Sequence, residues 1–202
     1  MPRLHDQLFW FLLSIPAILI AYQAYMSTDP RIFGELAHPA AEFSARLMII
    51  AMMTTPLTLL FKGQSWTRWL RKNRRSLGIA SFAYALLHTT FYMIDRNSLA
   101  GMVSDVSQLY IIAGWAALAI LIPITVTSCD FFVKKLGPRW KTLQRWSHPA
   151  VALVLLHWAA INDWAHPAEA ILHFAPLLLL QAYRVWYWYL RPRPVRQRSV
   201  GI

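Results

Sequence analysis

The sequence is poor in charged residues and contains almost no cysteine. Only 14% of its residues are charged, 57% are hydrophobic and the mean hydropathy is positive, which is too apolar for an ordinary soluble domain. The single cysteine, Cys129, excludes an internal disulfide and any zinc or iron–sulfur site built on cysteines. The composition therefore predicts an integral membrane protein.

Acidic residues are also scarce, with 9 Asp and Glu against 20 Lys and Arg. Such a surplus can indicate nucleic-acid binding, but its distribution indicates membrane topology instead. The basic residues concentrate in segments 62–76 and 127–147 and in the tail 191–202, whereas the intervening loops have almost none. Because basic loops stay on the cytoplasmic side, we expect both termini in the cytoplasm and no nucleic-acid role.

Six apolar runs approach the ~20 residues that a helix needs to cross ~30 Å of hydrocarbon. They cover residues 8–26, 40–61, 77–94, 109–126, 149–164 and 171–189. The sequence thus predicts an all-α integral membrane protein, a six-transmembrane-helix bundle over residues 1–190. The basic, proline-interrupted segment 191–202 is predicted to be a disordered cytoplasmic tail.

Two histidines lie inside these runs, where an ionisable side chain is costly and indicates function by default. His88 follows Arg75 by 13 residues and His157 follows Arg145 by 12, so both lie roughly 18 to 20 Å from the cytoplasmic boundary. Since both helices run outward, the two imidazoles can face each other across something planar. A b-type haem with two axial histidines suits this geometry.

Residues three, four and seven positions away share the histidine faces. Those predicted to flank the cofactor are Ser81, Tyr84 and Ala85 beside His88, and Val154 beside His157. The alternative interpretation is that each histidine only hydrogen-bonds a neighbouring helix. Zinc is disfavoured, because this level offers no cysteine or evident carboxylate.

Glu42 and Arg46 lie four residues apart at the start of the second apolar run, which allows a local ion pair. Two interpretations of Arg46 stay open. It forms a salt bridge at the membrane boundary, or it holds the carboxylate of a ligand.

Three stretches of the sequence carry a family resemblance: NRRSLGIASFAYALLHTTFY, TSCDFFVKKLGPRWKTLQ and ALVLLHW. They resemble the MsrQ family, the haem-binding membrane subunits of bacterial periplasmic methionine-sulfoxide reductase systems, within the ferric-reductase-like transmembrane superfamily. The resemblance covers about residues 40–158. It implies an inner-membrane electron-transfer protein that carries b-type haem. It also implies electrons supplied by a cytoplasmic flavin reductase and passed to a periplasmic molybdenum-containing reductase that repairs oxidised methionine.

The resemblance also assigns individual residues. His88 and His157 match the haem-ligand positions of the family. His38 matches a further family histidine near the outer surface, although Ala41 stands where a glycine is usual.

One position departs from the family pattern. A further family histidine, 13 residues before the one that matches His157, is replaced here by Gln144, a poor haem ligand. His148 does not compensate, because nine residues, about 900° of helix rotation, separate it from His157 and turn it to the opposite face. One haem is therefore expected, and His148 is predicted to be an interfacial residue.

The sequence contains neither a G-x-G-x-x-G motif nor a P-loop, and too few residues follow the last apolar run for a flavin or nicotinamide domain. The electron donor is therefore expected to be a separate protein, a diffusible reduced flavin such as FMN, or a membrane quinol. Three hypotheses stay open: a haem electron conduit, a stand-alone ferric or quinone reductase, and a haem-free anchor for a partner.

Overall fold

The computed structural model describes residues 4–161, 163–165 and 167–191, and these form helices joined by short turns. The helices are α1 (Leu4–Met26), α2 (Ile32–Leu60), α3 (Ser65–Arg96), α4 (Leu99–Asp105), α5 (Leu109–Val126), α6 (Asp130–Leu136), α7 (Pro138–Arg145), α8 (Ser147–Ala159) and α9 (Pro167–Val185). A π-helical turn over Trp186–Leu190 follows α9. The predicted all-α class is confirmed for this part of the chain. The predicted disordered tail, from residue 192 onward, lies outside it.

Helix bounds differ from the predicted spans in the basic segments and at the start of α2, which begins at Ile32 rather than at residue 40. Residues 65–76, expected in a loop, form the first turns of α3, because Arg and Lys are good helix formers whose charge does not interrupt a helix. Segment 127–147 likewise folds into α6 and α7 rather than an open loop. Charge therefore indicates the side of the membrane but not where a helix ends.

Within the described residues, four helices are long and apolar enough to cross a membrane, namely α1 from Asp6, α2, α3 and α5. Helix α8 has 13 residues, about 20 Å, and ends at Ala159 rather than near Trp164 as predicted. Asp163 and Trp164 have positive φ angles of 52° and 63°, which stop the helix before them. The count of six spans stays a prediction.

The bundle is built on close helix pairs. Helix α2 packs along α3, α5 packs along α8, and α9 lies against α2 and α8. Ala40, Ala150 and Ala170 are completely buried, and such small side chains let helix backbones approach closely where lipid gives no hydrophobic drive. Ser44 and Ser81 each donate a hydroxyl hydrogen bond to the other's backbone carbonyl, at 2.9 and 2.8 Å, which joins α2 to α3.

Segments 62–76 and 127–147 meet at one end of the bundle, called the basic end below. Arg75 of the first segment contacts Asp130 of the second at 2.6 Å. Three further polar contacts lie at this end: Lys62 to the Tyr187 hydroxyl at 2.7 Å, Lys72 to Asp6 at 3.6 Å and Arg184 to His148 at 3.4 Å. The hydrogen bond and charge of Arg75 hold the pKa of the exposed Asp130 carboxyl below its usual value. The sequence pattern that predicts topology thus corresponds to a real clustering of charge.

Helix α1 is attached to α3 through Tyr84. The Tyr84 hydroxyl donates to the Leu13 carbonyl at 2.7 Å and accepts from the Ala17 N–H at 3.0 Å. In a regular α-helix the Ala17 N–H would bond the Leu13 carbonyl directly. Here the Tyr84 hydroxyl lies between these two groups, at the turn of α1 that contains Pro16.

Replacing Tyr84 by phenylalanine should loosen α1. Both bonds are lost, and we expect a destabilisation of about 1 kcal/mol, since interhelical hydrogen bonds in membranes contribute about that much. Reversible unfolding in mixed micelles measures the change. Tyr22→Phe is the matched control, because that side chain is 58% exposed on α1. Equal stability of the two variants would contradict the role given to Tyr84.

Candidate functional site

A cavity of about 460 Å³ lies between α2, α3, α5 and α8. His88 projects into it from α3 and His157 from α8, with ring centroids 6.0 Å apart and ring planes at 75°. The structure therefore brings together the two histidines that the sequence singles out, at one level of the bundle. Most of the remaining wall is apolar, with Ala45, Leu118 and Leu121 among its residues.

One ring nitrogen of each histidine is held by a backbone carbonyl of a neighbouring helix. His88 Nδ1 lies 2.9 Å from the Ala37 oxygen of α2, and His157 Nδ1 lies 2.6 Å from the Tyr110 oxygen of α5. A carbonyl only accepts, so each neutral ring carries its proton on Nδ1 and leaves Nε2 as an acceptor. The sequence also allowed that each histidine only hydrogen-bonds a neighbouring helix. Each ring does form such a bond, through Nδ1.

The Nε2 atoms are open to the cavity. Neither has a hydrogen-bond partner among the residues that the structure describes. In that part of the chain, every fully buried side-chain nitrogen has a hydrogen-bond partner. Since the two Nε2 atoms have no partner, they are not fully buried, and they are accessible from the cavity. Two imidazoles with fixed tautomers and free Nε2 lone pairs form a pair of metal-ligand groups.

Gly114 lets His157 take this position. A Cβ built at Gly114 would lie 2.8 Å from His157 Nδ1 and 3.0 Å from Cε1, closer than side chains tolerate. Gly114 lies one turn of α5 after Tyr110. The His157 ring therefore lies against Gly114 while its Nδ1 bonds the Tyr110 carbonyl one turn earlier. Sequence reasoning missed this glycine, although a glycine inside an apolar span is itself a signal of close packing.

The four predicted flanking residues divide into two groups. Ala85 and Val154 line the cavity. Ser81 and Tyr84 do not line it, since Ser81 bonds Ser44 and Tyr84 bonds α1. Ser81 lies one helical turn before Ala85 on α3 and is therefore closer to the basic end than the cavity is.

At the end opposite the basic end, His38 and Glu42 line the mouth of the cavity. His38 Nε2 lies 3.2 Å from one carboxylate oxygen of Glu42, and Arg46 binds the other oxygen at 2.5 Å. The predicted ion pair therefore forms. Arg46 itself does not line the cavity, which favours its interpretation as a boundary salt bridge.

A second polar cluster lies at the same end of the cavity. The buried Asp105 accepts from Arg96 at 2.7 Å and from the Tyr92 hydroxyl at 2.9 Å, which joins α4 to the end of α3. Tyr92 and Arg96 line the cavity. The sequence places Asp105 in a loop, and the short helix α4 that positions it has no periodic pattern long enough to be predicted.

Gln144 and His148 lie at the basic end, away from the histidine pair. Gln144 Nε2 donates to the Ile124 carbonyl at 3.0 Å and to the Ser128 hydroxyl at 3.3 Å, which ties α7 to the end of α5. His148 is exposed, and its Nδ1 lies 3.0 Å from the Arg145 carbonyl. Both line another cavity of about 400 Å³, and no other histidine of the described part of the chain lines it.

Comparison with known proteins identifies the family. A model of the ferric reductase like transmembrane component matches residues 40–161. The chain belongs to this family. A protein-methionine-sulfoxide reductase heme-binding subunit MsrQ from Rhizobium meliloti (strain 1021) is 31% identical over 98% of this chain and 91% of its own length. The MsrQ protein of Brucella ovis is 30% identical over 99% of this chain and 91% of its own length. The chain therefore groups with the MsrQ subunits of the ferric-reductase-like family. No solved structure matches it.

The histidine pair can now be compared with the requirements of haem, the group for which those relatives are named. Metal–imidazole bonds of about 2 Å on each side of an iron place the two ligand nitrogens about 4 Å apart. The ring centroids then lie about 6 Å apart, and the observed separation is 6.0 Å. The free Nε2 atoms, the apolar wall and the spacing therefore fit a bis-histidine haem site.

We predict that Gly114→Ala weakens cofactor binding by displacing the His157 ring. The added methyl meets Nδ1 and Cε1, so the ring must leave the Tyr110 carbonyl or turn its Nε2 away. Titration of the cofactor-free protein with haemin should show at least about tenfold weaker binding, as expected when an outer partner of a ligand is disturbed. Gly78→Ala is the matched control, because a Cβ there meets nothing within 4 Å. Unchanged haemin affinity in Gly114→Ala would contradict the prediction.

Proposed function

We propose that the protein is the membrane electron-transfer subunit of a methionine-sulfoxide reductase system and holds one b-type haem between His88 and His157. The observation that carries the proposal is the pair of rings 6.0 Å apart whose Nδ1 atoms are occupied and whose Nε2 atoms are free. The names of the curated relatives support the cofactor, since they are heme-binding subunits.

Each part of the site has a separate task in this proposal. The Ala37 and Tyr110 carbonyls keep the protons on Nδ1, which holds both Nε2 lone pairs available and raises their basicity as ligands. The apolar wall excludes water. When bound, haem supplies a one-electron Fe(III)/Fe(II) couple, and burial in apolar surroundings is one of the features that set its potential.

One haem per chain is proposed rather than two. Gln144 occupies the position of a further family histidine, and its amide is engaged with α5. His148 points to an exposed contact with Arg184 at 3.4 Å, and the cavity at the basic end offers no facing second ligand. The residues there do not fit a bis-histidine iron site.

We further propose that the basic end faces the cytoplasm of a bacterial cell and that α8 and α9 complete six spans of the inner membrane. The positive-inside rule supports this orientation, because segments 62–76 and 127–147 meet at one end. Electrons then enter from a cytoplasmic flavin reductase, reduced FMN or a membrane quinol. They leave at the opposite end, past His38 and Glu42, towards a periplasmic molybdenum-containing reductase.

The ligand assignment predicts that His88→Ala and His157→Ala each abolish or grossly weaken haem retention. Each substitution removes one of the two imidazoles that would hold the haem iron, and one imidazole alone would hold it less tightly. Absorption spectra of the detergent-purified variants, before and after dithionite, measure retention through the Soret band and its shift on reduction. Full haem occupancy in either variant would refute the pairing.

His148→Ala is the matched control, because it removes a histidine near the start of the same helix as His157. Its spectrum should match that of the unmodified protein. Loss of haem in this variant would identify a different ligand or a second haem. A wild-type protein with no Soret band would instead favour a haem-free anchor.

A further inference from the structure

The cavity at the basic end has a strongly one-sided charge. Among the residues that the structure describes, seven Lys and Arg side chains and His148 line it, and no carboxylate does. Two of the seven are neutralised at its rim, Lys72 by Asp6 at 3.6 Å and Arg75 by Asp130 at 2.6 Å. The remaining five cations converge on a space of about 400 Å³ without a negative partner.

Those five are Arg71, Arg74, Lys141, Arg145 and Arg184. None has a carboxylate within 4.0 Å among the residues that the structure describes. The positive-inside rule explains why basic residues occur on this side of the membrane. It does not explain why their side chains converge, since free cations repel one another and gain most from separate hydration.

Arg74 shows most clearly that these cations lack a negative partner. It is partly buried, and its guanidinium lies 3.9 Å from the Met52 sulfur instead of against a carboxylate. Arg184, which reaches the same cavity from α9, repels it. A partly buried arginine that faces a second arginine is unfavourable unless an anion lies between them.

The lining of this cavity also has apolar side chains, among them Met48, Met52 and Leu121. A ligand that fits must therefore be an anion with several acceptor oxygens next to an apolar part. Phosphoryl groups meet the first requirement, because arginine binds them through paired hydrogen bonds. Basic pockets between membrane helices on the cytoplasmic side commonly take phospholipid head groups.

We propose that the basic cavity is a phosphoryl-binding site, filled by the head group of an anionic phospholipid or by a soluble phosphate. Arg74 and Arg184 hold the phosphoryl oxygens, and Arg71, Lys141 and Arg145 surround them. The bound anion joins α3, α7 and α9 at the end where their charges otherwise repel. The site is independent of the haem assignment.

The test is a thermal unfolding series on the full chain in neutral detergent. Phosphatidylglycerol is titrated against phosphatidylcholine, and sodium phosphate against sodium chloride at equal ionic strength. A ligand that binds only the folded state raises the midpoint in a saturable way. Saturation with phosphatidylglycerol alone identifies a lipid head group, and saturation with phosphate alone identifies a soluble phosphate. Saturation by neither overturns the proposal.

The double substitution Arg74→Gln with Arg184→Gln should weaken the saturable effect at least about tenfold, because it removes the charge-assisted hydrogen bonds. The double substitution Arg68→Gln with Arg139→Gln is the matched control, since it removes the same charge from residues that do not line the cavity. An equal loss in both would show general surface electrostatics and overturn the proposal.

A second measurement stays informative if ligand binding is difficult to follow in the variant. In detergent without phosphate or anionic lipid, Arg74→Gln alone should raise the unfolding midpoint, since it relieves the repulsion between Arg74 and Arg184. A lower midpoint than that of the unmodified protein would show that the arginines are already compensated within the chain and would contradict the proposal.

Discussion

The structure depends on how two histidines are satisfied inside a bundle that offers few other polar groups. Each ring donates from Nδ1 to a backbone carbonyl, His88 to Ala37 and His157 to Tyr110. An unpaired polar group in this environment costs free energy, so these bonds fix both the tautomer and the direction of the rings. The consequence is a pair of free Nε2 atoms that are accessible from one largely apolar cavity.

The surrounding helices are arranged to make those two bonds possible. Gly114 removes the side chain that would collide with His157, and buried alanines such as Ala40 and Ala150 let the helix pairs approach. The Ser44 and Ser81 bonds hold α2 against α3, the two helices that bring Ala37 and His88 together. Close packing therefore serves the site directly.

Much of the fold and the centre of the site could be predicted from the sequence. The apolar run 109–126 matches α5 residue for residue, and the depth calculation for His88 and His157 matches their meeting in one cavity. Helix ends in basic segments could not be predicted, because charge and helicity are independent properties. The contacts of Ser81 and Tyr84 could not be predicted either. The helical period tells which residues share a face of α3, but it does not tell which other helix packs against that face.

The two ends of the bundle differ in charge balance, and the account of function depends on that difference. At one end Asp105 is paired with Arg96, and Glu42 with Arg46. At the other, five cations share a cavity without a carboxylate, and Gln144 stands where a family histidine is expected. The proposed haem lies near the polar, charge-balanced end of the bundle, and the proposed anion lies at its basic end.

The ratio of haem to polypeptide in the detergent-purified protein tests the central claim most directly. A pyridine haemochrome assay against quantitative amino-acid analysis gives the ratio, and the near-infrared magnetic circular dichroism band reports the axial ligands. The account predicts one b-type haem per chain with the low-spin signature of two histidines. Two haems per chain, or one haem with a different ligand pair, would contradict it.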